Sequence, residues 1–329
     1  MTIQKWKEDC MQASLGVLQS FSQSRALSAP LATPTGAIAP GSEAFLETLR
    51  QRNAVLDWLF YDIGVVTHDE AASISPWLAA EGAILVVPPT AKGNVSLCSS
   101  IDAFVAEYKR VDTLAVAGVG SSALGSAAFA RNVADAIDKP VAAVVSGYGL
   151  ADLITEALGG FFLFGTTNSL RHNFEWLDRL RESGAVADPG TGSTDSTNYA
   201  LPQRSKDTRT VAALLSHDAL SLRTLIGHSK GNLVISEALF GLSTTARPKF
   251  LKIAPELLIV TVSAKIAMPP QCGKIVDILG KIDGFGLLNS RLDLETEVAV
   301  PLAWHHTNTQ LPLHLPVTAT LRCVPELAA

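Results

Sequence analysis

Charge is scarce in this chain: 17% of its 329 residues are Asp, Glu, Lys or Arg, and the 26 basic residues are scattered along it. With a net charge of −5 and no basic stripe, nothing suits a nucleic-acid backbone, and nucleic acid is not an expected partner. Cysteine is scarce too. Cys10, Cys98, Cys272 and Cys323 lie far apart, without a C-x-x-C pair, which excludes a disulfide framework and argues against structural zinc. They read as reduced thiols of a cytoplasmic protein. No segment supplies the roughly 18 consecutive apolar residues of a spanning helix, so integral membrane association is not expected. The opening Met1-Thr-Ile-Gln-Lys-Trp-Lys-Glu-Asp-Cys10 is charged and lacks the continuous apolar core of a secretory signal. No internal repeat is visible.

What is abundant is apolar side chain, 47% of the sequence, enough to bury a sizeable core in one large domain or two smaller ones. Residues 1–75 read as an N-terminal extension: helical spacing in 1–27, a linker rich in Pro, Gly, Ala and Thr from Ala29 to Ser42, and a second helical pattern through Phe45, Leu49, Leu56, Leu59 and Phe60. A core over 76–329 follows. Its short apolar runs lack alternation, as strands of a sheet covered on both faces do. They are 83–87, 113–117, 140–145, 222–227, 257–262, 274–279 and 298–302, with helical or long connections between most of them. About 146–210 lies a long insertion. It holds Phe161-Phe-Leu-Phe164 and a polar loop over 187–198, rich in Gly, Ser and Thr.

The most informative segment is Gly227-His228-Ser229-Lys230-Gly231. It joins an apolar run to a helical pattern, so its serine is lifted onto a sharp strand-to-helix turn. Glycines there let strand and helix crowd together, and the helix start favours negative charge beside the serine. The segment resembles the nucleophile elbow of the α/β-hydrolase superfamily. That resemblance, over about residues 80–315, implies a mostly parallel, doubly wound sheet of about eight strands, with the insertion at 146–210 as its cap or lid. It also implies a triad in the chain order Ser, acid, His. Ser229 is then the nucleophile. Asp283, after the run at 274–279 in a Gly-x-x-Asp turn, resembles the family's acid, with Asp277 and Asp293 as alternatives and a purely local turn bond as the bland reading. The tandem His305-His306 follows one more strand. The pattern Trp304-x-His306 resembles the closing turn of some lipases and favours His306 as base, His305 being the alternative. His228 is expected to pack rather than to take the proton.

The resemblance further implies an oxyanion hole made by the backbone N–H groups of Lys230, after the nucleophile, and Val119, after an earlier strand. The family's usual histidine in that earlier loop is replaced by Ala117-Gly118-Val119. The Lys230 side chain either serves an anionic intermediate or snorkels away from the site. The implied activity is hydrolysis of carboxylic esters through an acyl-enzyme, with no metal or organic cofactor. The apolar insertion points to a small apolar ester. Thioesterase, polyester hydrolase and acyltransferase activities on the same fold are the alternatives, and oligomeric state is unspecified. A rival reading comes from Gly118-x-Gly120-x-x-Ala123, which also satisfies a dinucleotide fingerprint and would suit an oxidoreductase. However, the strand ending at Val145 supplies no acidic residue for a ribose.

Overall fold

The computed structural model describes residues 56–74, 81–118, 121–146, 205–291 and 294–327. The linker, most of the insertion (with Phe161 to Phe164 and the loop 187–198), Val119 and Asp293 lie outside them. Among the described residues eight strands form one sheet: β1 Ile84–Val87, β2 Ser96–Cys98, β3 Thr113–Val116, β4 Val141–Val144, β5 Thr224–His228, β6 Leu258–Val262, β7 Lys274–Gly280 and β8 Val298–Val300. The order across it is β2-β1-β4-β3-β5-β6-β7-β8. Strands β3 to β8 run parallel, whereas β1 is antiparallel to both β2 and β4. The fold is therefore α/β with a mostly parallel but mixed sheet. Strand β2 has no counterpart in the sequence reading. It is three half-buried residues long, too short to show an apolar run.

The α-helices that lie wholly among the described residues are α1 His68–Ile74, α2 Ile101–Tyr108, α3 Ala123–Ile137, α4 Lys206–Ser216, α5 Lys230–Thr245, α6 Arg247–Ile253, α7 Gly284–Leu288 and α8 Val317–Arg322; residues 56–60 are helical too. The helices cover both faces, because side chains alternate along each strand. In β3, Leu114 and Val116 face a cluster with Phe104 of α2, Leu214 of α4, Ile235 of α5 and Phe250 of α6. Ala115, with Ala117 beyond it, faces Phe129 and Val133 of α3 and Leu321 of α8. Burial on both sides is why these strands read as unbroken apolar runs. The second cluster also takes in Tyr61, Val66 and Ile74. The buried pair Glu70–Arg131 fastens α1 to α3, so residues 61–74 are built into the sheet's packing. No helix among the described residues is long and apolar enough to cross a membrane.

Strand order decides where a site can form. The chain leaves β3 through α3 for β4 on one side, and reaches β5 on the other side of β3 through α4. Helices α3 and α5 lie on opposite faces. Beyond the C-terminal ends of β3 and β5 the connections diverge and leave the crevice where open α/β sheets place their ligands. Gly118 and Ser229 are the residues at those two ends.

Candidate active site

One residue makes the turn between β5 and α5. Ser229 has φ 52° and ψ −119°, a region that residues with a Cβ avoid and that costs on the order of 1–3 kcal/mol. Its surroundings hold it there. Its N–H donates to the Val262 carbonyl at 2.9 Å, and its carbonyl accepts from Asn232 N–H at 3.1 Å. The Asn232 side-chain amide donates to Val262 and Ala264 carbonyls at 3.0 and 2.9 Å, pinning the start of α5 to the end of β6. A Cβ on Gly227 would collide with Asn232, and one on Gly231 with the Val116 carbonyl. Ser229 also stands at the N-cap of α5, a position where serine commonly caps, yet its hydroxyl makes no cap bond.

The hydroxyl meets histidine instead. Ser229 Oγ lies 2.9 Å from His305 Nε2, and His305 Nδ1 lies 2.9 and 3.0 Å from the two carboxylate oxygens of Asp283. A carboxylate only accepts, so Nδ1 carries the ring proton and Nε2 presents a lone pair to the serine hydroxyl. Asp283 also accepts the Gly286 N–H at 2.6 Å as the N-cap of α7. The local turn role and the contact with histidine thus coexist. The imidazole is wedged between Phe60 and Phe285, at ring distances of 6.4 and 5.7 Å.

His306 does not meet Ser229, which corrects the expectation drawn from Trp304-x-His306. Its Nε2 donates to the Pro312 carbonyl at 3.1 Å, and its ring stands edge-on to Trp304 at 5.6 Å. Burial depresses its pKa. The reason lies in the backbone. Trp304 N–H and the His306 carbonyl pair with Leu313 and Leu315, whereas Thr307 N–H pairs with Phe60 on the other side, as does the His305 carbonyl with His228. The chain bends at His305, and with its neighbours held on opposite sides one histidine faces the serine and the other the loop at 311–315. Asp277 sits within β7, bonded to Thr261, with its pKa pushed up to about 6 by burial.

After β3, a Cβ at Gly118 would stand 2.8 Å from Ser229 Cβ, so the turn there abuts Ser229. The Gly118 carbonyl accepts from Ser121 Oγ at 2.9 Å and Ser146 Oγ at 3.2 Å, which fixes the turn. Lys230 opens α5, bringing its amide to the helix end where backbone N–H groups point outward. Its charge acts on Asp207 of α4, whose pKa burial raises and Lys230 partly restores.

Two contributors to this geometry carry no motif. Tyr61 Oη takes the Gly118 N–H at 2.7 Å and lies 3.2 Å from His228 Nδ1. Asp57 accepts Ser122 N–H at 2.9 Å and bonds its hydroxyl, capping α3. Burial pushes the Asp57 carboxyl from 3.8 up to about 7, against the lowering effect of its bonds to Ser122 and Gly125. The folded protein thus holds this proton more tightly than the unfolded chain. The stability it contributes is complete below pH 3.8 and lost as pH rises through about 7. Asp57→Asn removes that titration. The urea midpoint of the native chain relative to the variant should therefore fall across this range, and a flat difference would contradict the assignment.

Among the described residues no group of three or more His, Cys, Asp or Glu is placed to hold a metal ion. The chain matches no protein-family model, no curated protein and no solved structure.

Proposed function

We propose that the protein is a serine hydrolase of the α/β-hydrolase type that cleaves carboxylic esters through an acyl-enzyme. The observation that carries this reading is the unbroken line from Ser229 Oγ through both nitrogens of His305 to Asp283. A serine hydroxyl needs a base in hydrogen-bond contact, and that base needs a partner to fix its tautomer. Here Ser229 attacks the ester carbonyl while His305 takes its proton, later returning it to the leaving alcohol. Asp283 stabilises the imidazolium between the two transfers. Water then repeats the sequence on the acyl-serine. The N–H groups of Lys230 and Val119 are assigned to the oxyanion, and no step calls for a metal or an organic cofactor.

The dinucleotide alternative meets a specific obstacle. A pyrophosphate would need the first-turn amides of α3, and the buried carboxylate of Asp57 accepts from Ser122 and Gly125 there. The apolar residues of the insertion support a small apolar ester as substrate. Thioester and polyester cleavage or acyl transfer would use the same triad. A p-nitrophenyl ester series of increasing acyl length, run beside a matched thioester, tests the assignment. Ester turnover exceeding thioester turnover is expected, and the reverse order would move the protein to the thioesterases.

A further inference from the structure

We propose that Tyr61 is a positioning residue. Acting through His228, it ties the Gly118 turn to the backbone of His305 and so fixes where the base stands against Ser229. The inference rests on the hydrolase reading and deepens it, because it assigns part of the site to residues that precede the sheet.

The directions of the hydrogen bonds follow from the groups themselves. His228 Nε2 lies 2.9 Å from the His305 carbonyl, which can only accept, so Nε2 bears the ring's proton. The ring is neutral: burial, aided by the nearby His305, depresses its pKa to about 3. Nδ1 therefore only accepts, and the single proton of the Tyr61 hydroxyl is directed to it across 3.2 Å. The hydroxyl's lone pair meanwhile takes the Gly118 N–H at 2.7 Å. The relay runs one way, from Gly118 N–H through Tyr61 and His228 to the carbonyl of His305. Tyr61 is 0% exposed, His228 1% and His305 4%, so water cannot replace a lost partner.

Two further observations make this more than core packing. A phenylalanine would fill the same space beside Phe129, whose ring lies 6.3 Å away. The hydroxyl adds nothing to that contact; it bonds Gly118 and His228. In addition, the two loops that the relay joins follow β3 and β8, which three other strands keep apart. Sheet pairing between those strands cannot set the loop-to-loop distance, and the segment at 57–61 spans it. The Phe60 carbonyl accepts from Thr307 N–H and Oγ1 at 2.7 and 2.9 Å, the Asn308 amide donates to the Trp58 carbonyl, and Asp57 holds Ser122 on the far side.

The test uses the full chain and p-nitrophenyl acetate. Tyr61→Phe should lower kcat roughly 10- to 100-fold and leave KM within about twofold, with far-UV dichroism unchanged. At His228, glutamine places an amide donor near the Nε2 position, whereas asparagine keeps only an acceptor toward Tyr61. His228→Gln should therefore retain clearly more activity than His228→Asn. Nitrogen-15 NMR of the imidazoles gives a readout that needs no turnover. His305 should be a single Nδ1–H tautomer in the native protein and exchange-broadened or mixed in Tyr61→Phe. A native-like kcat with an unchanged His305 spectrum would overturn the proposal, as would a lower kcat with an unchanged spectrum and equal glutamine and asparagine variants. If Tyr61→Phe fails to fold, the His228 pair decides: glutamine above asparagine supports the relay and equality overturns it. If the native protein cleaves no ester, the hydrolase reading falls, while the spectra still decide whether Tyr61 sets the imidazole.

Discussion

Ser229→Ala is expected to abolish turnover of p-nitrophenyl acetate, by at least about 10³-fold, as triad knock-outs generally do. Its urea midpoint should barely move. The hydroxyl is the one atom removed, and it caps nothing: its contact is with His305 Nε2. Alanine keeps the Cβ, so the backbone strain at φ 52° is the same before and after. The bonds from Ser229 N–H to Val262 and from Asn232 N–H to the Ser229 carbonyl also survive. Loss of activity in a variant of unchanged stability would therefore report chemistry rather than unfolding. A folded variant that keeps more than about a tenth of the activity would contradict the role given to Ser229.

The second large effect separates the tandem histidines. His305→Ala should come close to the serine knock-out, since it removes the proton acceptor and leaves the Asp283 carboxylate buried with only its bond to Gly286. His306→Ala should lose turnover only mildly. Its cost falls on stability, through the lost ring contact with Trp304 and the lost bond to Pro312. Deleting a buried ring of this kind costs on the order of 1–3 kcal/mol, visible as a lower urea midpoint. Measuring kcat/KM and the midpoint for both variants checks the division. The reverse order of activities would return the base to His306 and contradict the contact between His305 and Ser229.

The contrast between these neighbours shows where sequence reading stops. Seven of the eight strands are visible as largely apolar runs because most of the sheet is buried on both faces, although β7 carries Asp277 and the edge strand β8 is only partly buried. The elbow is equally legible, since only glycine fits beside Asn232 and the Val116 carbonyl. Asp283 is legible from its place after β7. The course of the chain through the bend at 304–307 is not. Sequence shows that two adjacent histidines must diverge, but which of them faces the serine depends on pairing with residues 313–315 and with Phe60, and that pairing leaves no local mark. Tyr61 and Asp57 are less visible still. Their partners, Gly118 and Ser122, lie 57 and 65 positions away, and a tyrosine in an apolar helical pattern looks like ordinary core. Asn232 could have been suspected, because a buried amide in the first turn after the elbow must find acceptors. It finds them at Val262 and Ala264.

Whether Ser229 is a nucleophile activated by His305 can be read from labelling with a fluorophosphonate. The reagent phosphylates a serine only when that serine is activated, and the adduct can be placed by peptide mass spectrometry independently of any choice of ester. One adduct at Ser229 is predicted, absent from Ser229→Ala and formed far more slowly in His305→Ala. A folded native protein that takes up no label, or takes it up at another residue, would contradict the account.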